Sequence, residues 1–288
     1  MKRAVCLILV CGLFLVATST HAADTVKWIP AAASNAGAFG SQWTTDVWIY
    51  SPVADRAITV FLSFYPESSG STEPVEIPVT IESFNTVQLT DVVASLFGEN
   101  RPGAIRIRCE YPFDARSRTM NSGGASGVFG QAISAIDQSS GYYGALLPAA
   151  ANVPGADGTR SNVGFINPCD TTITVSAFIV DPEWNQGPYG SFDVELGPNG
   201  WWQGDAFEAA GIDADTINSA AITALGSGAG QAPGESDCPG MLSYLSRIDN
   251  RSNDGAFFGQ AGDFFRFKVP AGDLAKGVDA GEDGGHRV

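Results

Sequence analysis

The chain holds 288 residues, 44% of them hydrophobic, with 31 Asp+Glu against 16 Lys+Arg for a formal charge of −15. So acidic a surface repels nucleic acid phosphates and anionic lipid headgroups, which excludes both as partners. The histidines are His21 in the leader and His286 near the C-terminus. Neither supplies the fold-positioned imidazole that Ser-His-Asp, Cys-His or histidine-built zinc and copper chemistry requires.

Residues 1–22 read as a signal peptide. Lys2 and Arg3 are followed by the apolar stretch Val5 to Val16 and by small residues around a cut after Ala22 or Ala23. That stretch is shorter than the ~20 residues needed to cross a bilayer, so cleavage and export are expected, with no membrane insertion afterwards. Losing Lys2 and Arg3 takes the formal charge from −15 to −17. The predicted location is the periplasm, the cell surface or the extracellular space.

Residues 24–134 form a first unit. Ile58, Val60, Leu62 and Phe64 alternate with smaller or more polar residues, and Ile77 to Ile81 and Ile105 to Arg108 alternate likewise. Period-two alternation predicts antiparallel sheets packed on one face. Pro78 lacks a ladder donor and predicts an edge strand. Thr90 to Phe97, stopped by Gly98, predicts a short helix.

Residues 142–269 repeat this plan. Ile29-Pro30-Ala31-Ala32-Ala33 returns as Leu147-Pro148-Ala149-Ala150-Ala151, and the segment Thr45 to Pro52 returns as Ser161 to Pro168. Ser117-Arg118 answers Ser246-Arg247, and Phe129-Gly130-Gln131 answers Phe258-Gly259-Gln260. A repeat of this length buries its own core. Asp205 with Glu208, closed by Gly211, resembles a helix capping box and matches Asp91 in the first unit. Leu225 to Asp237 reads as a surface loop inserted in the second unit, and residues 270–288 read as a flexible tail. The fold class is therefore all-β: two tandem homologous immunoglobulin-like antiparallel β-sandwiches, each with one short helix.

Beyond the leader the cysteines are Cys109, Cys169 and Cys238. Export permits a disulfide, predicted between Cys169 and Cys238. Cys109 and Cys238 each precede their arginine by nine residues, which would make them equivalent.

No nucleotide loop, metal-ligand pair or cofactor motif stands out, so no catalytic residue, metal or cofactor is expected. Carboxylate hydrolysis needs only two placed acids. The Asp91 and Asp205 match, however, is better explained by helix capping. Asn250, Ser252, Asp254 and Gly255 mimic a calcium-loop spacing, yet position 12 is Ala261, and a hairpin turn is the expectation. The polar residues Asp46, Asn162, Arg118, Arg247, Gln131 and Gln260 are predicted hydrogen-bonded struts, with the arginines tying loops together. Trp43, Trp184 and Trp202 are candidate ligand-stacking tryptophans.

The Pro-Ala-Ala-Ala opening, the strand and turn from Asp46 and Asn162, the Asp-led helix and the Ser-Arg…Phe-Gly-Gln close together resemble a repeat module of secreted bacterial proteins. That module is an immunoglobulin-like β-sandwich family. The resemblance implies export and a β fold, and no catalytic residue. The expected function is a non-enzymatic exported structural or protein-interaction module of the cell envelope or extracellular space, with a protein partner or self-association. Carbohydrate binding through exposed tryptophans is the alternative, and a carboxylate-dependent hydrolase a third reading.

Overall fold

The computed structural model describes residues 24–37, 40–67, 74–122, 128–183, 187–227 and 238–260. The predicted leader, the tail, Trp184 and most of the inserted loop lie outside them. The first unit runs β1 (Thr25–Ala32), β2 (Asn35–Ala36), β3 (Gln42–Tyr50), β4 (Ile58–Pro66), β5 (Ile77–Ile81), β6 (Thr86–Leu89), α1 (Val92–Phe97), β7 (Gly103–Cys109), β8 (Asp114–Asn121), β9 (Phe129–Ser134) and β10 (Ile136–Asp137). The second runs β11 (Gly144–Asn152), β12 (Thr159–Ile166), β13 (Ile173–Val180), β14 (Gly190–Leu196), β15 (Trp201–Asp205), α2 (Ala206–Ala209), β16 (Ile217–Ser227), β17 (Leu242–Asp249) and β18 (Gly255–Gly259).

Each unit is an antiparallel sandwich, and the two share one strand order. Sheet β1-β7-β4-β5 of the first unit, with β10 added outside β1, matches β11-β16-β13-β14 of the second. Sheet β3-β8-β9, with β6 on the far side of β3, matches β15-β12-β17-β18. The alternation seen in sequence decides which side chains meet. Ile58, Val60, Leu62 and Phe64 enter the first core with Ile105 and Ile107. Ile173, Val175, Ala177 and Ile179 enter the second. Pro78 sits in β5, the edge strand, where its missing N–H costs no ladder bond.

Register corrects two sequence expectations. Ile29 pairs with Ile105, and Leu147 pairs with Ile222. The partner of Cys109 in the other unit is therefore Gly226, four residues further along, and not Cys238. The inserted loop lies between Gly226 and Cys238, so counting back from the arginines crosses residues the first unit lacks. The insertion also starts later than expected, because β16 continues through Ser227. Cys109 is a buried free thiol, and Cys169 is bonded to Cys238 across 69 residues.

The helices differ at their first residue. Asp205 accepts from the backbone N–H groups of Phe207 and Glu208 and so caps α2. Asp91 makes no side-chain cap. Its backbone N–H instead donates to Asp46 Oδ1 at 2.9 Å, so the buried carboxylate of β3 holds the start of α1. Gly98 stops α1 in the left-handed region at φ 67°, where glycine carries no Cβ penalty.

The two sandwiches are joined by buried aromatic packing. Trp28, Tyr65 and Ala104, on the outer face of the β1 sheet, meet Ile166, Trp201 and Leu242 on the outer face of the β12 sheet. Beside them Ala31 and Ile133 meet Tyr244 and Phe257. Trp201 Nε1 donates to Pro30 O at 2.8 Å, leaving the indole no unpaired polar atom. Each such large side chain withdrawn from water contributes roughly 1.5–3 kcal/mol, which holds the units in one orientation.

Candidate functional site

A cleft of about 370 Å³ opens where the two sandwiches meet. The first unit contributes the end of β1, the β2–β3 hairpin with Asn35, Gly37 and Trp43, and Gln131 from β9. The second contributes Arg160 and Asn162 from β12, Trp201, Gln203 and Asp205 from β15, Glu208 from α2 and Ser246 from β17. Both units line it, so the cleft exists only when they are docked.

Its polar groups are partly engaged by the protein. Ser246 Oγ donates to Gln131 Oε1 at 2.9 Å across the unit boundary. Tyr244 Oη donates to Gln203 Oε1 at 2.7 Å. Arg160 donates from Nη1 to Asn250 Oδ1 at 2.6 Å and from Nη2 to Asn253 Oδ1 at 3.1 Å. Burial pulls the Arg160 guanidinium below its ordinary pKa, against the opposing pull of Asp205. Burial likewise raises the Asp205 carboxyl, opposed by its two capping N–H groups. Arg160 and Asp205 thus share a partly dried wall.

The predicted residues divide sharply. Trp43, Asn162 and Gln131 come together in the cleft. Trp184 lies outside the described residues. Trp202 is not a ligand-facing tryptophan: it packs against the second core, its ring 6.0 Å from Phe165 and 5.7 Å from Phe192. Its neighbour Trp201 takes the place at the cleft, because adjacent strand residues face opposite sides.

Arg118 is not a loop tie. It pairs with Asp46, whereas Arg247 pairs with Ser161, the counterpart of Thr45, so the two arginines are one residue out of register and face opposite sides of their sheets. Arg118 is exposed and Arg247 half-buried. The tie in the second unit is Arg160, which repeat matching passed over because the first unit has Thr44 there. Gln131 and Gln260 are not counterparts either, since the two hairpins differ in length. Gln260 accepts from Ser243 and donates to Ser140 O at 2.8 Å, stitching the second unit to the connecting segment.

The calcium-like segment is the β17–β18 hairpin turn, and the side chains of Asn250 and Ser252 within it are hydrogen-bonded to the protein. Asp249 Oδ1 accepts from Arg251 and Ser252, while Asn250 and Asn253 hold the Arg160 guanidinium. Among the described residues no cluster of three or more His, Cys, Asp and Glu is placed to hold a metal ion. No helix among them is long and apolar enough to cross a membrane.

No family model matches this chain, and no curated protein matches it. A solved Thermotoga maritima protein, number 1070, is 15% identical at a TM-score of 0.32, covering 39% of this chain and 92% of that one. A glycosyl hydrolase family 2 member from Bacteroides cellulosilyticus is 12% identical at 0.17, covering 83% and 27%. The major pilin of Streptococcus pyogenes is 9% identical at 0.19, covering 83% and 91%. Scores this low carry no argument about function, and the resemblance to a secreted repeat module stays at the level of the β-sandwich.

Proposed function

We propose that this chain is a non-enzymatic, exported structural or protein-interaction module that works as one stiff two-sandwich body in the periplasm, at the cell surface or beyond it. The observation that carries the reading is the aromatic seam of Trp28, Tyr65, Trp201 and Tyr244, which fixes the angle between the units. A hinge between independent domains would leave that surface polar and wet.

The far end of the molecule supports it. Where the second unit buries Leu242 and Tyr244, the register of the first unit places Asp114 and Arg116, both exposed. That outer face sets charged side chains beside Trp48 and the exposed Tyr50, the mixed make-up of a protein-contact surface. The Cys169–Cys238 bond suits an oxidising compartment. The partner expected is a protein, met through such charged outer faces.

Calorimetry and fractionation together test the reading. The full chain expressed in a bacterial host is expected outside the cytoplasm, shortened at its N-terminus, and unfolding in one cooperative transition. Trp28→Ala should split that transition in two. Cytoplasmic retention of the uncut chain overturns export, and two independent transitions in the unsubstituted protein overturn the stiff body. Hydrolysis of a polysaccharide, abolished by a single Asp or Glu substitution, overturns the non-enzymatic reading.

A further inference from the structure

We infer that the cleft between the sandwiches binds a small neutral saccharide, of mono- or disaccharide size. The inference is independent of the structural role proposed above, which survives if no sugar binds.

Size comes first. A volume near 370 Å³ lies at the low end of the ~300–1,000 Å³ typical of small-molecule sites, too small for a folded partner. The lining then selects the chemistry. Gln131 is only 8% exposed, and while its Oε1 is held by Ser246, its Nε2 has no acceptor among the described residues. Gln203 repeats the arrangement, with Oε1 held by Tyr244 and Nε2 without an acceptor among them. Asn35 Oδ1 is buried without a donor. The half-buried Asn162 amide has no protein partner among the described residues. The wall therefore offers both donors and acceptors, with the half-buried Trp43 indole among the lining residues.

Hydroxyl groups answer that pattern, since each donates and accepts at once. An apolar ligand would dry these amides without replacing water, at a cost of about 1–3 kcal/mol for each group left unpaired. An anion would meet Asp205 and Glu208, and Arg160, the one cation among the described lining residues, is already tied to Asn250 and Asn253. The flat indole complements the C–H face of a sugar ring, whose hydroxyls then reach the amides at the rim.

The test uses the chain from residue 24 onward, with isothermal calorimetry and tryptophan fluorescence against a panel of neutral mono- and disaccharides, matched uronic acids and short peptides. Saturable binding of a neutral sugar with a change in tryptophan emission is expected. Asn162→Ala, which removes a side chain bonded to no described residue, should weaken binding about tenfold while leaving the melting temperature in place. Trp43→Phe, which keeps an aromatic ring in position, should weaken it less. Silence across the neutral panel at millimolar concentration overturns the inference. So does tighter binding of the uronic acids or peptides, or sugar binding that Asn162→Ala leaves unchanged.

Discussion

The Tyr244 ring lies flat across Gly164, its cross-strand partner in β12. A Cβ on Gly164 would overlap the ring, and Tyr244 is fully buried with its hydroxyl held by Gln203. The same register position in the first unit is Trp48, opposite Arg116 on an open face. The seam between the units thus needed a side chain removed from one strand so that an aromatic on the next could cover it. Gly164→Ala should cost about 1–3 kcal/mol by overpacking. In a chain this size each kcal/mol moves the melting temperature by roughly 2–4 °C. An unchanged thermal transition would show that the ring can move aside.

Burial also pushes the Tyr244 phenol well above its ordinary range. A raised native pKa stabilises the fold fully below the unfolded value of about 10, and that contribution is lost as pH climbs past it. Stability should therefore fall more steeply above pH ~10 for the wild type than for Tyr244→Phe. Parallel urea titrations at neutral and alkaline pH read the difference, and identical slopes for both proteins would remove Tyr244 from the account.

The bond from Cys169 to Cys238 closes a loop of 69 residues over the second sandwich. Closing a loop of that length is worth about 4 kcal/mol in the chain-entropy model. Cys169→Ser with Cys238→Ser should lower stability by that order, and a reducing agent should reproduce the loss. Cys109, whose thiol burial raises, should stay unreactive until the chain unfolds. Thiol labelling along a denaturant series follows both events.

Much of this was legible in the residues. Alternation at Ile58 to Phe64 marked a strand of the first core, and the repeated segments marked a second copy of the same sandwich. What sequence matching could not resolve was register. Ser117-Arg118 and Ser246-Arg247 look alike, yet a shift of one residue turns them to opposite faces. The cleft was half visible: Asn162 and Gln131 lie in segments that repeat matching picked out, and Trp43 was one of the candidate tryptophans. Arg160, Trp201 and Gln203 have Thr44, Thr86 and Gln88 at their register positions in the first unit, so only docking distinguishes their role. Adjacent tryptophans announce that one faces in and one out, and they do not say which face a neighbouring domain will cover.

Asp205 separates capping from charge. Its carboxylate accepts two N–H groups at the start of α2, and burial works against the ionised form. Asparagine caps as well as aspartate without a buried charge, so Asp205→Asn should stay within ~0.5 kcal/mol of wild type. Asp205→Ala should lose about 1 kcal/mol. Asp91→Ala should lose less, because Asp91 caps nothing with its side chain. Equal losses for Asp205→Asn and Asp205→Ala would mean that the charge, rather than the cap, matters.

Arg160 decides the calcium question. The Asn250 oxygen that mimics a metal ligand in sequence holds its guanidinium at 2.6 Å, and the nearby Asn253 oxygen holds it at 3.1 Å. A cation bound there must displace one already present and covalently tethered. Neither calcium nor a chelator should therefore shift the melting temperature of the wild type. Arg160→Met keeps the aliphatic stem but leaves both amide oxygens without their charged donor, at a cost of about 1.5–3 kcal/mol. A calcium-dependent rise in the wild-type melting temperature would show that the turn gives up its arginine to a metal.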